Sequence, residues 1–349
     1  MNNPPSRGRL SETTVGPEFA SDTLHTKSKN RVRNIFVSIL RMREMAMIFL
    51  LLISGIIMTI FSPYFLSVTN FVAVARGFAM EGMVVIGMSL LLIGGAFDLS
   101  VGSVMALAGI VCAWLMVRIN LSAPLAVICG LGVGAVTGLT NGLVVSRIKV
   151  NPLIATLGMM SIARGMCLGF TEGRPVINVP MDFARLGQGS LAGLPIPFLI
   201  MMVLVILFDI LLRRGRALRQ LYYVGGNEKA ARLSGIKVDR VILLTFISSG
   251  VFAALAGVIS VARLQSGVPT AFVGVELRII AACVIGGMSL SGGEGSIAGA
   301  LLGLIFMALV SNAMTLFGVS IYWEGVVTGS ILTIAVSLDM ISRRRLRTA

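Results

Sequence analysis

Six charged side chains, Arg76, Glu81, Asp98, Arg164, Glu276 and Arg278, fall inside stretches that are otherwise apolar. A charge at the centre of a membrane-spanning helix costs roughly 2.5–3.5 kcal/mol, so each requires a partner or a wet cavity. The chemistry on offer is ion pairing, helix capping and the polar lining of a pathway. Asp98 follows Gly94-Gly95 and precedes Leu99-Ser100, where a carboxylate can accept backbone N–H bonds at a broken helix junction. Glu81 is expected either to pair with an arginine such as Arg76 or Arg278 or to line a polar cavity. Arg164 is expected to meet a carboxylate or a carbonyl. Glu81, Asp98, Ser100, Arg164 and Asn312 form the candidate set for a translocation pathway or gate.

Other chemistries lack their residues. The only histidine, His25, lies in the polar N-terminal stretch, which removes a His-based metal site or catalytic triad. Cys112, Cys129, Cys167 and Cys283 sit in apolar runs without a C-x-x-C spacing and read as small hydrophobes, so no metal site is expected. The phosphate-cradling pattern G-x-x-x-x-G-K-[ST] occurs nowhere. The chain is therefore not read as an enzyme, and no cofactor is expected in it.

The elements that position these residues are membrane spans. The 349 residues are 56% apolar and only 13% charged, with mean hydropathy +0.93, against roughly 25% charge in globular domains. About ten apolar stretches separated by short polar breaks predict an all-α polytopic membrane protein, with spans near 45–62, 70–94, 100–117, 123–146, 152–170, 195–212, 241–262, 276–290, 296–315 and 322–341. The net charge of +14 lies almost entirely in alternate breaks: the tail before residue 45, Arg147 and Lys149, the 213–240 loop, and the tail after residue 341. That pattern places both termini in the cytoplasm and sets membrane topology, and it argues against nucleic acid as the partner of the positive charge. Residues 1–44 read as a disordered basic cytoplasmic tail, with an interfacial helix around 35–43, and 342–349 as a second basic tail; no cleavable signal is indicated. Between them, 45–341 forms one transmembrane domain.

Two further patterns stand out. Gly130, Gly134, Gly138 and Gly142 recur every fourth residue in span 4, and Gly295, Gly299 and Gly303 do so at the start of span 9, which predicts close helix packing. These two spans hold equivalent places in the four-span units 2–5 and 7–10, which run in opposite directions, as in an inverted repeat. In the 213–240 loop, Asn227 suits an N-cap, Glu228 the first turn and Gly235 the end of a helix of about seven residues. So short a helix is marginal in water and needs a surface to dock on, either its own bundle or a cytoplasmic partner.

The run Gly225-Gly226-Asn227-Glu228-Lys229-Ala230-Ala231-Arg232-Leu233-Ser234-Gly235-Ile236 resembles a segment of the permease subunits of ATP-binding-cassette importers for ribose and related simple sugars. Asp98-Leu99-Ser100-Val101-Gly102-Ser103, Ala155-Thr156-Leu157-Gly158, Ala163-Arg164-Gly165, Thr171-x-Gly173-Arg174-Pro175 and Gly286-Gly287-x-Ser289-Leu290-x-Gly292-Gly293-x-Gly295 extend the resemblance over nearly the whole membrane region. It implies that Gly226, Asn227, Glu228, Ala230, Ala231, Arg232, Leu233 and Gly235 couple the chain to a separate ATPase subunit that holds ATP and Mg. It further implies a periplasmic sugar-binding protein, a second permease copy in a homo- or heterodimer, and residence among the lipids of a bacterial inner membrane. The 171–194 loop, with Thr171, Glu172, Arg174, Asp182 and Arg185, is the expected docking surface for the delivery protein. The chain departs from the family pattern at Ala96-Phe97, at Glu81 and at Glu324. Leu290-Ser291-Gly292-Gly293-Glu294 looks like the signature of the ATPases themselves but, without a phosphate loop, reads as a glycine-rich turn. An ion-coupled secondary transporter of a small polar solute is the alternative; it would need an essential carboxylate such as Glu81 and no coupling helix.

Overall fold

The computed structural model describes residues 43–348; the expected N-terminal tail and interfacial helix lie almost wholly outside the described residues. The chain divides into two units, Met1–Ala46 and Met47–Ala349, and only residues 43–46 of the first are described. The second unit is helical. After α1 (Arg43–Phe61) come α2 (Val68–Ile93), α3 (Val101–Arg118), α4 (Ala123–Ser146) and α5 (Pro152–Thr171). A short helix, α6 (Met181–Gln188), and a two-residue hairpin, β1 (Ser190–Leu191) with β2 (Leu194–Pro195), lead into α7 (Ile196–Arg214). Then follow α8 (Arg216–Gly226), α9 (Glu228–Leu233), α10 (Val238–Leu264), α11 (Val275–Ile285), α12 (Ile297–Leu316), a 3₁₀ turn (Ile321–Trp323) and α13 (Glu324–Thr348).

Seven of these helices (α2, α3, α4, α5, α7, α10 and α12) are long and apolar enough to cross a membrane. The apolar segments Met47–Phe61 of α1 and Glu324–Ser337 of α13 are shorter. Helix limits follow local chemistry. Ser67, Asn151 and Ser296 cap α2, α5 and α12 by accepting the N–H of Asn70, Leu153 and Gly299, and proline stands in the first turn of α4, α5 and α7. The expected span 276–290 is shorter than the pattern suggests: α11 stops at Ile285, because Gly287, Gly292, Gly293 and Gly295 adopt positive φ and carry the chain through an irregular turn.

The core is formed by α2, α3, α10 and α11, whose buried faces include Met83, Ile86, Met105, Ile259 and Ile279. The α4 glycine face packs on α10: a Cβ on Gly134 would strike the Gly250 carbonyl, one on Gly138 the Phe246 carbonyl, one on Gly130 the Val258 side chain at 2.9 Å, and one on Gly142 the Leu243 side chain at 2.8 Å. Where lipid supplies no hydrophobic drive, such backbone proximity is what holds helices together. Gly299 and Gly303 press in the same way on Gly286 and Ala282, joining α12 to α11. Gly295 is a correction to the stripe. It precedes α12, at φ +128, and belongs to the turn rather than to the helix face.

Candidate functional site

The chemistry-bearing residues gather in three places. At the first, the break between α2 and α3, the Ser100 N–H and hydroxyl donate to Asp98 Oδ1 at 2.8 and 2.5 Å, and Asn141 Nδ2 on α4 donates to Ser100 Oγ at 3.0 Å and to Asp98 Oδ1 at 3.5 Å. Asp98 is 1% exposed. Its first oxygen thus holds the chain in an Asx turn where helical bonding lapses; this is not the expected helix cap, because the N-cap of α3 is Ser100, which makes no side-chain cap bond. Nothing in the sequence signalled Asn141, which lies beside the glycine face of α4.

The second place joins α2, α11, α12 and α13. Arg278 Nη1 contacts Glu81 Oε1 at 2.9 Å, and Nη2 contacts Glu324 Oε1; the Ser311 hydroxyl donates to the same Glu324 oxygen at 2.6 Å. Glu81 pairs with Arg278 rather than Arg76, which instead donates to the Gln188 carbonyl at 3.1 Å. The two carboxylates that depart from the family pattern therefore share one arginine. Nearby, Asn70 and Asn312 exchange amide hydrogen bonds of 3.1 and 2.7 Å at the edge of a cavity of about 510 Å³ walled by Phe65, Phe71, Phe78 and Phe198.

Arg164 stands apart, on α5. Its Nη1 donates to the carbonyls of Pro269 and Ala271 at 2.6 and 2.9 Å. Those carbonyls belong to the irregular segment 265–274, which approaches Ile110 and Ala113 of α3 through Gly267 and Gly102 of α3 through Phe272. Gly102 and Ala113 are about 16 Å apart along a helix, so non-helical backbone runs beside a spanning helix for that length. Such backbone is tolerated at membrane depth only inside protein or beside a cavity. Phe272 at φ +64 and Gly274 at φ +82 show how sharply it turns into α11, and the Gly274 N–H donates to Glu276 Oε1 at 3.2 Å.

The third place is the end of the bundle carrying the 213–240 segment, which holds more helix than its sequence led us to expect. Leu221 and Val224 bury one face of α8; the recurrence Leu218, Leu221, Tyr222, Gly225 is a helical signal hidden by the surrounding charge. α9 follows at once. Asn227 accepts the Ala230 N–H at 3.0 Å, and at the far end the Ile236 N–H reaches the Ala231 carbonyl and the Gly235 N–H the Arg232 carbonyl, with Gly235 at φ +82. This is the Schellman ending. Arg232 bridges Glu228 at 2.8 Å and Asp239 at 2.5 Å, and those carboxylates hold its guanidinium pKa above the usual arginine range. Leu233 points outward, 91% exposed, whereas Ala231 is buried with Val224 and Val238. Of the candidate coupling residues, Gly226, Asn227, Glu228, Ala230, Arg232, Leu233 and Gly235 lie exposed, and Ala231 fastens α9 to the bundle.

Three glycine pairs lock this segment to the break beside Asp98. Gly94-Gly95 at the end of α2, Gly225-Gly226 at the end of α8 and Gly292-Gly293 in the 286–296 turn meet backbone to backbone. The Gly293 N–H donates to the Ile93 carbonyl at 2.8 Å, and the Tyr222 hydroxyl donates to the Gly295 carbonyl at 2.8 Å. The sequence that looks like an ATPase signature is this turn.

Residues 70–336 match the model of a family described as the permease component of the branched-chain amino acid transport system. The chain belongs to that family. It is 39% identical to the ribose import permease protein RbsC of Bacillus subtilis over 83% of this chain and 90% of that one. Against RbsC of Escherichia coli K12 the identity is 37%, covering 88% and 96%, and against the L-arabinose permease AraH of the same strain it is 38%, covering 83% and 88%. No solved structure matches the chain. The chain is thus a multi-pass membrane protein and a transport subunit. In this family member, α6 folds out of the 171–194 loop, with Phe183, Ala184 and Gly187 buried; Pro180 before it and Gly189 after it were the available signals.

Proposed function

We infer that this chain is the membrane subunit of an ATP-binding-cassette importer and carries a monosaccharide, a pentose or a close relative, across the bacterial inner membrane. The single observation that carries the reading is the doubly capped α9, presented on the surface yet bonded through the glycine junction to the α2–α3 break. Together with it stand the relatives, named for ribose and arabinose. A separate ATPase docks on α9 and its exposed Leu233, and motion there passes through Gly225-Gly226 to Gly94-Gly95 and the 286–296 turn. Ten crossings complete the bundle, with α1, α13 and α11 plus its turn added to the seven long helices, and both termini on the cytoplasmic side. The pathway uses the ion-paired and amide-paired residues Glu81, Arg278, Glu324, Asn70 and Asn312, with Arg164 holding the irregular 265–274 segment. The cavity beside Asn70 and Asn312 is walled mostly by apolar side chains, which suits brief passage rather than retention of a sugar. Selectivity then rests with a periplasmic binding protein, docked on the outer loop that contains α6. A second permease copy pairs across α5, where Gly158, Gly165 and Gly169 share a helical face with open space over each.

Uptake of labelled ribose and arabinose into vesicles holding this chain with its ATPase and binding protein tests the reading. ATP-dependent uptake is expected. Uptake driven by a proton gradient alone supports the ion-coupled alternative.

A further inference from the structure

Beside α9 lies a cavity of about 320 Å³, lined among others by Arg147 just past α4, Arg232 of α9, and Lys237, Asp239 and Arg240 around the start of α10. Its only carboxylate, Asp239, is already engaged by Lys149 at 2.6 Å and by Arg232 at 2.5 Å. The Lys149 bridge ties the 147–150 turn between α4 and α5 to the root of α10, so that turn and α9 stand on two sides of one opening. Arg147, Lys237 and Arg240 are exposed and have no ion-pair partner among the described residues. Three unmatched cations around one opening repel each other and create a field that an anion relieves. Two of them are guanidinium groups, whose planar forks fit carboxylate oxygens.

The apolar neighbours identify the carrier of that anion. Ile148, between Arg147 and Lys149, is 68% exposed, and Leu233, next to Arg232, is more exposed still. Both stand on short segments beyond the ends of the long helices: Ile148 follows α4, which ends at Ser146, and Leu233 ends α9. A free anion would satisfy the cations and leave both side chains in water. A folded protein surface covers them, and large apolar side chains beside arginines are the composition of a protein interface. We propose that the ATPase docks across both segments, with one of its acidic side chains entering the cavity between Arg147 and Arg240 while Ile148 and Leu233 pack on its apolar surface. This rests on the reading of α9 as the docking element and extends it to a second contact, the 147–150 turn. It also gives docking an electrostatic component for which Arg232 is not free, since Glu228 and Asp239 already engage it.

Affinity of the purified chain for its ATPase, measured in detergent over a series of salt concentrations, tests this. The wild type is expected to bind less tightly as salt rises. Arg147→Gln/Arg240→Gln is expected to weaken docking at low salt by roughly fivefold per cation removed and to flatten the salt dependence, whereas Arg147→Lys/Arg240→Lys keeps that dependence. Ile148→Cys carrying a photoactivatable thiol reagent is expected to cross-link to the ATPase above the background of the unsubstituted chain, whether or not the Gln variant folds. A Gln variant with the affinity and salt dependence of the wild type overturns the proposal. So does an Ile148→Cys chain that cross-links to lipid or to nothing, since the 147–150 turn then lies outside the interface. Neither result touches the reading of α9, which Leu233→Asp tests by itself. An ATPase that does not bind the wild type at all overturns that reading and the proposal with it.

Discussion

Placing a single methyl group on Gly225 should disconnect the surface helix α9 from the bundle. A Cβ there would overlap the Ile93 carbonyl, lie 2.6 Å from the Gly293 nitrogen and 3.0 Å from the Ile93 carbonyl carbon. All three atoms are backbone, so no side-chain rotation relieves the clash. The three segments must separate by roughly an ångström to restore ordinary contact distances. That separation breaks the 2.8 Å bond from the Gly293 N–H to the Ile93 carbonyl. Overpacking costs about 1–3 kcal/mol and a lost hydrogen bond about 1 more. The total, about 2–4 kcal/mol, lowers the population of the closed junction roughly 30- to 1,000-fold. The neighbouring Gly226 supplies the control, since a Cβ there meets nothing within 4 Å and its φ is not positive. In vesicles with the ATPase and binding protein, Gly225→Ala should still bind the ATPase but lose most sugar uptake, while Gly226→Ala should transport. Equal uptake by the two variants would refute the idea that force passes through this junction.

Leu233→Asp removes an exposed apolar knob and should weaken ATPase co-purification by about 2 kcal/mol, or roughly 30-fold, if Leu233 is a central contact; pull-down from detergent measures it. Ala231→Glu, by contrast, should unfold the root of α9, visible as new protease cleavage between α8 and α10, because Ala231 is buried. Arg278→Gln leaves the Glu81 and Glu324 carboxylates without their shared cation and should cost about 3–5 kcal/mol in thermal unfolding. Adding Glu81→Gln should recover part of that loss. Arg164→Met frees the Pro269 and Ala271 carbonyls, and a decrease of about 2–4 kcal/mol in stability with faster labelling of a cysteine placed in 265–274 is expected.

Much of this organisation is legible in the sequence, for identifiable reasons. Apolar runs and glycine spacing depend on solvent and helix geometry alone, so the seven long apolar helices and the α4 face could be read directly. The caps of α9 are local, and Asn227 and Gly235 sit where their backbone demands them. The Arg278 cluster is half visible: Glu81 and Arg278 are evident as intramembrane charges and Glu324 as a departure from the family pattern, but its place at the start of α13 gives no sign that it is the partner of Arg278. The three glycine pairs of the junction are far apart in the chain, and only tertiary structure brings them together. α6 and α8 carry their apolar faces among many charges, which masks the helical period. The length of α11 was overread because apolarity continues past Ile285 while the backbone turns away.

The central claim is that this bundle moves sugar only when a nucleotide-driven partner acts on α9. Reconstitution of the chain into sealed vesicles, with and without the ATPase and the binding protein, measures this most directly. Accumulation of labelled ribose or arabinose that requires ATP and both companions is the expected result. Uphill accumulation by the chain alone, driven by an ion gradient, would contradict it.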